Sequence, residues 1–338
     1  MPRKPRIQYP GAVYHVMNRG DRGGRIFRDL VDYDLFMVAM DEVCQRCGWR
    51  LHAYALLPNH FHWLLETPAP NLVAGMKWFL GAYSQRFNAR HGQRGHVFQG
   101  RYKALPIDAD SGGYFERVST YIHLNPARAG LLKEEGLRGY RWSSYRAYVT
   151  GKKTRPKWLR VRRVLGNLDL RDDTKGRKAY GQYLESRAGD LRTKAGRKAF
   201  KEEWKTIRYG WYLGDEGFKD KLLKGIGKVV EGRQRASYSG ESIRQHDEYE
   251  AEGLLRAGMS VLKIKEADLE ALPKGDETKC VLAWLVHSQT MASHQWISER
   301  LRMGVPSNMT KYVEDVKQPI SNRIAKIKRN IEKHLIPK

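Results

Sequence analysis

Two histidines stand two residues apart in Tyr54–Pro68, YALLPNHFHWLLETP. The run is rich in Leu, Phe and Trp and reads as a strand, on which side chains two apart share a face. His60 and His62 then point one way, about 6–7 Å apart along the strand, and Phe61, Trp63 and Leu65 point the other. Paired imidazoles on a rigid strand can hold one metal ion; they can also be ordinary polar-face residues. A second pair lies downstream. Tyr121 and Asn125 are four apart in a helical pattern, so a phenol and an amide oxygen share one helix face. Two imidazoles and one amide oxygen leave positions for a phosphate oxygen and water, a mixed N/O set that suits Mg²⁺ or Mn²⁺ rather than a closed zinc site. Tyrosine is a competent covalent nucleophile. With a free pKa near 10 it carries little phenolate at neutral pH, a handicap that a metal on the scissile phosphate lessens. The bland reading of Tyr121 is a core aromatic beside Val118 and Ile122. Cys44-Gln45-Arg46-Cys47 has C-x-x-C spacing but falls inside a helical pattern with no second pair to complete a site, so it reads as structural.

The elements that would position these residues are legible in order. Ala12–Asn18 is a first strand, after the Pro10-Gly11 turn. The glycine- and arginine-rich Asn18–Gly24 loop follows. Leu30–Gly48 has helical spacing, with Leu35, Val38, Ala39 and Val43 on one side and Gly48 as its stop. Trp49–Leu57 and His60–Thr67 form a hairpin through Pro58-Asn59. Asn71 is positioned to cap a helix running to about Asn88. His96–Ile107 is a fourth extended segment. A helix from near Ser111 ends at Asn125-Pro126, because the residue before a proline disfavours helix. Trp142–Tyr148 reads as a short closing helix. Strand, helix, strand, strand, helix, strand is the split βαβ, or ferredoxin-like, arrangement, an α+β fold with one sheet face free for a ligand.

The 338 residues carry 62 Lys+Arg against 37 Asp+Glu, a net +25, which favours a polyanionic partner. The excess is +9 over residues 1–150 and +16 over the rest. No apolar run is long enough to span a bilayer. MPRKPRIQYPG has no apolar stretch after its basic residues, so a signal peptide is not expected, and the expected location is the cytoplasm, with the nucleoid. Three cysteines exclude a disulfide scaffold. Composition shifts at Thr150–Arg163, which reads as a basic linker or exposed arm. The expected domains are 1–150, a basic helical linker region over 151–235 with an aromatic knot at Trp204–Tyr212, and a helical C-terminal region over 236–338. Within the last, Glu277–Gln289, a helix capped by Ser293, the Met303–Pro306 turn and a helix capped by Ser307 fit a helix-turn-helix over about 276–317. A plain helical bundle fits the same pattern. In the first case Ser307, Asn308, Thr310 and Lys311 lie nearest the major groove. Ile320, Ile324, Ile327, Ile331 and Leu335 form an apolar stripe that docks on this unit or pairs between chains.

Several motifs together resemble a known family. Pro58-Asn59-His60-Phe61-His62 resembles the HUH motif. Tyr121–Gly130, YIHLNPARAG, resembles the tyrosine helix of the REP-associated tyrosine transposases, single-tyrosine relatives of the IS200/IS605 transposases. Phe98–Ala104, FQGRYKA, and Trp142–Tyr145, WSSY, match in kind and order, so the resemblance covers about residues 5–150. The segment from about Gly210 to Val313 resembles a longer C-terminal extension of some members. The resemblance implies a metal-dependent single-stranded DNA endonuclease and strand transferase acting on hairpin-forming palindromes. Tyr121 would form a 5′-phosphotyrosine link and free a 3′-hydroxyl. His60 and His62 would bind Mg²⁺ or Mn²⁺, with Asn125 as third ligand. Arg19, Arg22, Arg25, Arg101 and Lys103 are candidate phosphate contacts. The implied partner is single-stranded and hairpin DNA, with duplex through the helix-turn-helix and the protein a monomer or homodimer. A DNA-binding repressor that keeps the fold without cleaving is the second reading; the intact His60, His62, Tyr121 and Asn125 set favours the enzyme. An RNA-binding ferredoxin-like sheet is a third, opposed by the lack of an RNP-like aromatic motif on the strands.

Overall fold

A computed structural model describes residues 6–151, 155–205, 207, 210–230 and 241–336, and the backbone alone for 227–230. Parts of the expected basic linker region (152–154 and 231–235, with 206, 208 and 209 in its aromatic knot) and of the C-terminal region (236–240, 337 and 338) fall outside the described residues. The chain forms two compact units. One runs Arg6–Leu222; the other holds the residues from Leu223 onward. Residue 150 lies inside the first unit.

The first unit is built on a four-stranded antiparallel sheet: β1 (Ala12–Arg19), β2 (Arg50–Leu57), β3 (His60–Thr67) and β4 (Lys103–Ile107), in the order β2-β3-β1-β4. That is the split βαβ order, and the fold is α+β as the element pattern implies. The expected fourth extended segment is shorter: only Lys103–Ile107 pairs, while Phe98 makes an isolated bridge to Gly20. Helices α1 (Leu30–Cys47) and α2 (Leu72–Arg90) cover one face. The α1 start is fixed by Asp29, whose carboxylate accepts from the amides of Val31 and Asp32. Its end is Gly48 at φ 66°, a left-handed position that glycine adopts without steric cost. Asn71 does not cap α2 with its side chain. Its amide instead bonds Trp49 Nε1 and the Cys47 carbonyl, tying α2 to the end of α1. Gly75 is needed there, since a Cβ would lie 2.2 Å from the Trp49 ring.

The alternation of β3 decides the core. Phe61 and Trp63 point at α1 and α2, where Phe36 meets Phe61 at 5.2 Å, Trp63 at 5.9 Å and Phe79 at 4.9 Å between ring centres. Each such buried aromatic costs about 3–5 kcal/mol to truncate to alanine.

The opposite face is not free, contrary to the expectation of an open ligand face. Helix α3 (Tyr114–Arg128) lies across β2 and β3. It continues through Pro126, two residues past its expected end. The proline sits in the last turn, where its missing N–H costs one bond, and the end is closed by Leu131 N–H to the Pro126 carbonyl and Ala129 N–H to the Asn125 carbonyl. His123 pins α3 from below. Its Nδ1 is 2.8 Å from the Tyr180 hydroxyl and its Nε2 is 2.7 Å from Ser144 Oγ, with all three residues buried. The closing helix is shorter than expected, Tyr145–Val149.

The basic stretch after it is no exposed arm over its described part. Trp158 and Leu159 are buried and run beside β2, with Leu51 N–H donating to the Trp158 carbonyl and Arg160 N–H to that of Leu51. Together with Trp142–Ser144, which bonds Leu56 and Tyr54, this segment covers the β2 edge. Arg155 forms a bidentate, nearly buried pair with Asp172. Further helices follow, among them Thr174–Asp190 and Lys194–Glu203.

In the second unit, Glu277–Gln289 is a central helix buried along Thr278–Val286. Glu241–Leu262, His294–Arg300, Met309–Lys317 and Asn322–Leu335 pack around it. Ser293 caps His294–Arg300 as expected, accepting from Trp296 N–H. Ser307 does not cap the next helix. It sits in a 3₁₀ turn, Pro306–Asn308, and the helix begins at Met309 with Asn308 as an N-cap that makes no side-chain bond. In the apolar stripe, Ile324 and Ile331 are buried within this unit and Ile320 is exposed. No helix among the described residues is long and apolar enough to cross a membrane.

Candidate functional site

The strand pairing that places the histidines also brings in one the spacing did not single out. In the β1–β3 register Met17 opposes His62, so His15, two residues back, is a diagonal neighbour on the same face. His15 Nε2 lies 2.9 Å from His62 Nδ1, and both residues are buried. The rings stack with centres 5.1 Å apart. His60 is half-buried, and its Nδ1 is 2.7 Å from Asn59 Oδ1. The His60 and His62 rings stand 5.0 Å apart, as expected on one face of β3.

Each imidazole therefore has one ring nitrogen tied back to the chain. The other nitrogen of His62, Nε2, is buried without a partner. Burial, with the Arg128 and Arg19 cations, pushes the His60 pKa down to about 4. Burial, with Lys103, pushes that of His15 to about 3. His62 falls well below the usual value, first through burial and then through His15, His60 and Arg128. At neutral pH these are neutral rings with lone pairs to offer, the state a metal requires. Among the described residues no cluster of three His, Cys, Asp or Glu forms a closed metal site. The orphaned Nε2 of His62 beside His60 fits a two-histidine site whose other ligands come from outside the chain.

Tyr121 sits on α3 against this pair. Its ring is 5.7 Å from both His15 and His62, edge-on to each. The fold thus brings Tyr121 to the sheet face that carries His15 and His62. Tyr121 is only 3% exposed. Phe200 stacks on it at 5.9 Å and Trp204 lies at 5.6 Å, both from the end of the helix Lys194–Glu203 and its C-cap. No hydrogen bond reaches the Tyr121 hydroxyl among the described residues. Asn125 is fully buried, and its amide is engaged on both sides. Nδ2 donates to the Tyr121 carbonyl at 2.9 Å, and Oδ1 accepts from Arg128 Nη2 at 2.8 Å. Arg128 occupies one of the two lone pairs of Asn125 Oδ1.

His60 and His62 open onto a cleft of about 440 Å³, lined besides by Met17, Asn18, Arg19, Asn59, Arg101, Lys103 and Arg128. Four cations and no carboxylate line it, which suits an anion. Of the arginines and lysine singled out in the sequence, the structure brings Arg19, Arg101 and Lys103 to this cleft. Arg22 and Arg25 are exposed and do not line it. Ser307, Asn308, Thr310 and Lys311 are exposed in the second unit. Sequence reasoning gave no site role to His15, Arg128, Phe200 or Trp204, though Arg128 stood in the tyrosine-helix motif and Trp204 in the aromatic knot. Arg128 lies in the tyrosine-helix motif, seven residues or about two turns past Tyr121, which places it on the same side of α3. His15 stands two residues before Met17 on a strand whose register only the folded sheet reveals.

Residues 9–125 match the family model described as "Transposase IS200 like". No curated protein matches the chain. A solved structure described as a REP-associated tyrosine transposase bound to a REP hairpin is similar to part of the chain at 16% identity. The match covers 47% of this chain and 92% of that one, with a TM-score of 0.38.

Proposed function

We propose, with the match of residues 9–125 to the IS200-like transposases as premise, that this protein cleaves and rejoins single-stranded DNA through Tyr121. The observation that carries the reading is the approach of one tyrosine ring to His15 and His62, on the sheet face that also holds His60 at a cationic cleft. A divalent ion, Mg²⁺ or Mn²⁺, held by His60 and His62 would draw electron density from the scissile phosphate. The residues of the chain do the rest. The Tyr121 oxygen attacks phosphorus and its proton passes to water. The bond from phosphorus to the 3′ oxygen breaks, and that oxygen takes a proton from water. The product is a 5′-phosphotyrosine and a free 3′-hydroxyl. Reversal on another end joins strands without ATP, because the covalent link keeps the phosphodiester energy. Arg19, Arg101 and Lys103 hold backbone phosphates along the cleft. Asn125 would serve as a third ligand through the lone pair of its oxygen that Arg128 leaves open. Hairpin-forming palindromic DNA is the proposed substrate, as the resemblance of the Tyr121–Gly130 motif implies.

A second reading, binding without cleavage, is favoured by one observation: Phe200 and Trp204 cover Tyr121. One assay separates the two. Wild type and Tyr121→Phe are incubated with single-stranded hairpin DNA and Mg²⁺ or Mn²⁺, and covalent protein–DNA adducts are resolved on denaturing gels. Adduct from wild type alone is the expected result. No adduct and no cleavage over a range of palindromes sinks the enzyme reading.

The second unit is assigned to duplex DNA. Ser307, Asn308, Thr310 and Lys311 are exposed at the start of Met309–Lys317, whose Met309, Val313 and Val316 face inward. Their exposure beside an inward-facing apolar side supports a recognition-helix role for this segment.

A further inference from the structure

Arg128 has no carboxylate partner among the described residues. Its position is nonetheless fixed. Nη2 donates to Asn125 Oδ1 at 2.8 Å, and Asn125 is anchored in turn on the Tyr121 carbonyl. Arg128 Nε is buried without any partner. The Arg128 guanidinium carbon is 5.8 Å from the centre of the Tyr121 ring. The same side chain lines the cleft with His60 and His62.

A cation in the last turn of a helix needs no function, because it complements the helix dipole. Such a cation ordinarily reaches for solvent. Arg128 is instead held half-buried at the cleft by a fully buried amide. A guanidinium has five donors in a planar fork. One is spent on Asn125, and the buried Nε–H is spent on nothing. Leaving such a donor unpaired costs about 1–3 kcal/mol, and the side chain that bears it lines the cleft.

We propose that Arg128 is a catalytic residue, which donates to a non-bridging oxygen of the scissile phosphodiester, and that Asn125 is the positioning residue that braces it. The inference rests on the proposed attack by Tyr121. As the bond from the Tyr121 oxygen to phosphorus forms and the bond to the 3′ oxygen breaks, charge collects on the non-bridging oxygens. A donor already fixed in place stabilises that charge without reorganising. In this arrangement Asn125 contributes to the site through Arg128.

The test is single-turnover adduct formation by the full chain with a hairpin oligonucleotide and Mn²⁺, beside oligonucleotide binding followed by fluorescence anisotropy. Arg128→Ala is expected to slow adduct formation about 100- to 1000-fold, with a smaller loss of binding. Guanidinium ion added to that variant is expected to restore part of the rate. Arg128→Lys keeps the charge but not the fork, and is expected to remain slow. Arg128→Met, which keeps the apolar stem, stands in if the alanine variant does not fold. Adduct at the wild-type rate from any folded variant without the guanidinium overturns the proposal. So does a rate loss no larger than the binding loss and unmoved by guanidinium. Wild type without adduct is the separate failure, that of the Tyr121 reading itself.

Discussion

Replacing His15 tests how the site prepares His62. His15 Nε2 and His62 Nδ1 are 2.9 Å apart and share one proton. If His62 offers Nε2 to a metal, that proton sits on His62 Nδ1 and His15 accepts it. The other tautomer places a proton on Nε2 and blocks it. His15→Phe keeps a ring of similar size and removes the acceptor. His62 Nδ1–H is then buried with no partner, at a cost of about 1–3 kcal/mol. The blocked tautomer becomes competitive by a similar amount. Since 1.4 kcal/mol is a factor of ten, Mn²⁺ affinity is expected to fall about 10- to 100-fold, the range for loss of such supporting contacts. The assay is titration of the full chain without DNA, with free Mn²⁺ read by electron paramagnetic resonance and the fold checked by circular dichroism. His15→Gln, which can present an oxygen near the position of Nε2, is expected to recover most of the affinity. A folded His15→Phe that binds Mn²⁺ like wild type refutes the reasoning. A glutamine variant no better than the phenylalanine one refutes the acceptor role.

Three further outcomes follow from other parts of the chain. Phe200→Ala removes the ring stacked on Tyr121 and is expected to speed adduct formation while lowering stability by about 3–5 kcal/mol; adduct formation no faster than wild type would show that the cover does not limit access. Glu66 accepts from His52 and Arg50, and these contacts hold its carboxyl at about 2 against 4.5 in the unfolded chain. The unfolded chain takes the proton first as pH falls, so this contribution is present above pH 4.5 and lost toward pH 2. Glu66→Gln is expected to give a shallower acid limb in denaturation over that window, and an unchanged limb contradicts it. Lys311→Ala is expected to weaken duplex binding similarly for all sequences and to lower the slope of log affinity against log salt by about one; a slope equal to wild type would remove Lys311 from the phosphate contacts.

Much of the first unit was legible because its signals are local. The alternation in His60–Thr67 placed Phe61 and Trp63 in the core and the two histidines together. The turn chemistry of Pro58-Asn59 and the Gly48 stop closed their elements where expected. The i, i+4 spacing of Tyr121 and Asn125 placed both on one face of α3. What the sequence hid depends on partners distant in the chain. His15 meets His62 only through the β1–β3 register. The cover on Tyr121 comes from Phe200 and Trp204, about eighty residues downstream, in a stretch that read as a basic helical linker with an aromatic knot. Asn125 was legible as an amide near the tyrosine; its engagement with Arg128 was not, because amide orientation follows from packing. Pre-proline bias ended α3 early on paper, whereas burial of Tyr121–Asn125 carried the helix through Pro126. The linker reading of Thr150–Arg163 followed from charge. Trp158 and Leu159, two apolar residues among the cations, cover the β2 edge instead.

Peptide mapping of the protein–DNA adduct identifies the residue that carries the DNA. After reaction with a hairpin oligonucleotide and Mn²⁺, nuclease and protease digestion followed by tandem mass spectrometry locates the residual nucleotide. The account expects a 5′-phosphate link on Tyr121, and none from a Tyr121→Phe variant that melts at the wild-type temperature, since the hydroxyl has no partner among the described residues to lose. A nucleotide mapped to any other residue, or an adduct of equal yield from Tyr121→Phe, contradicts it.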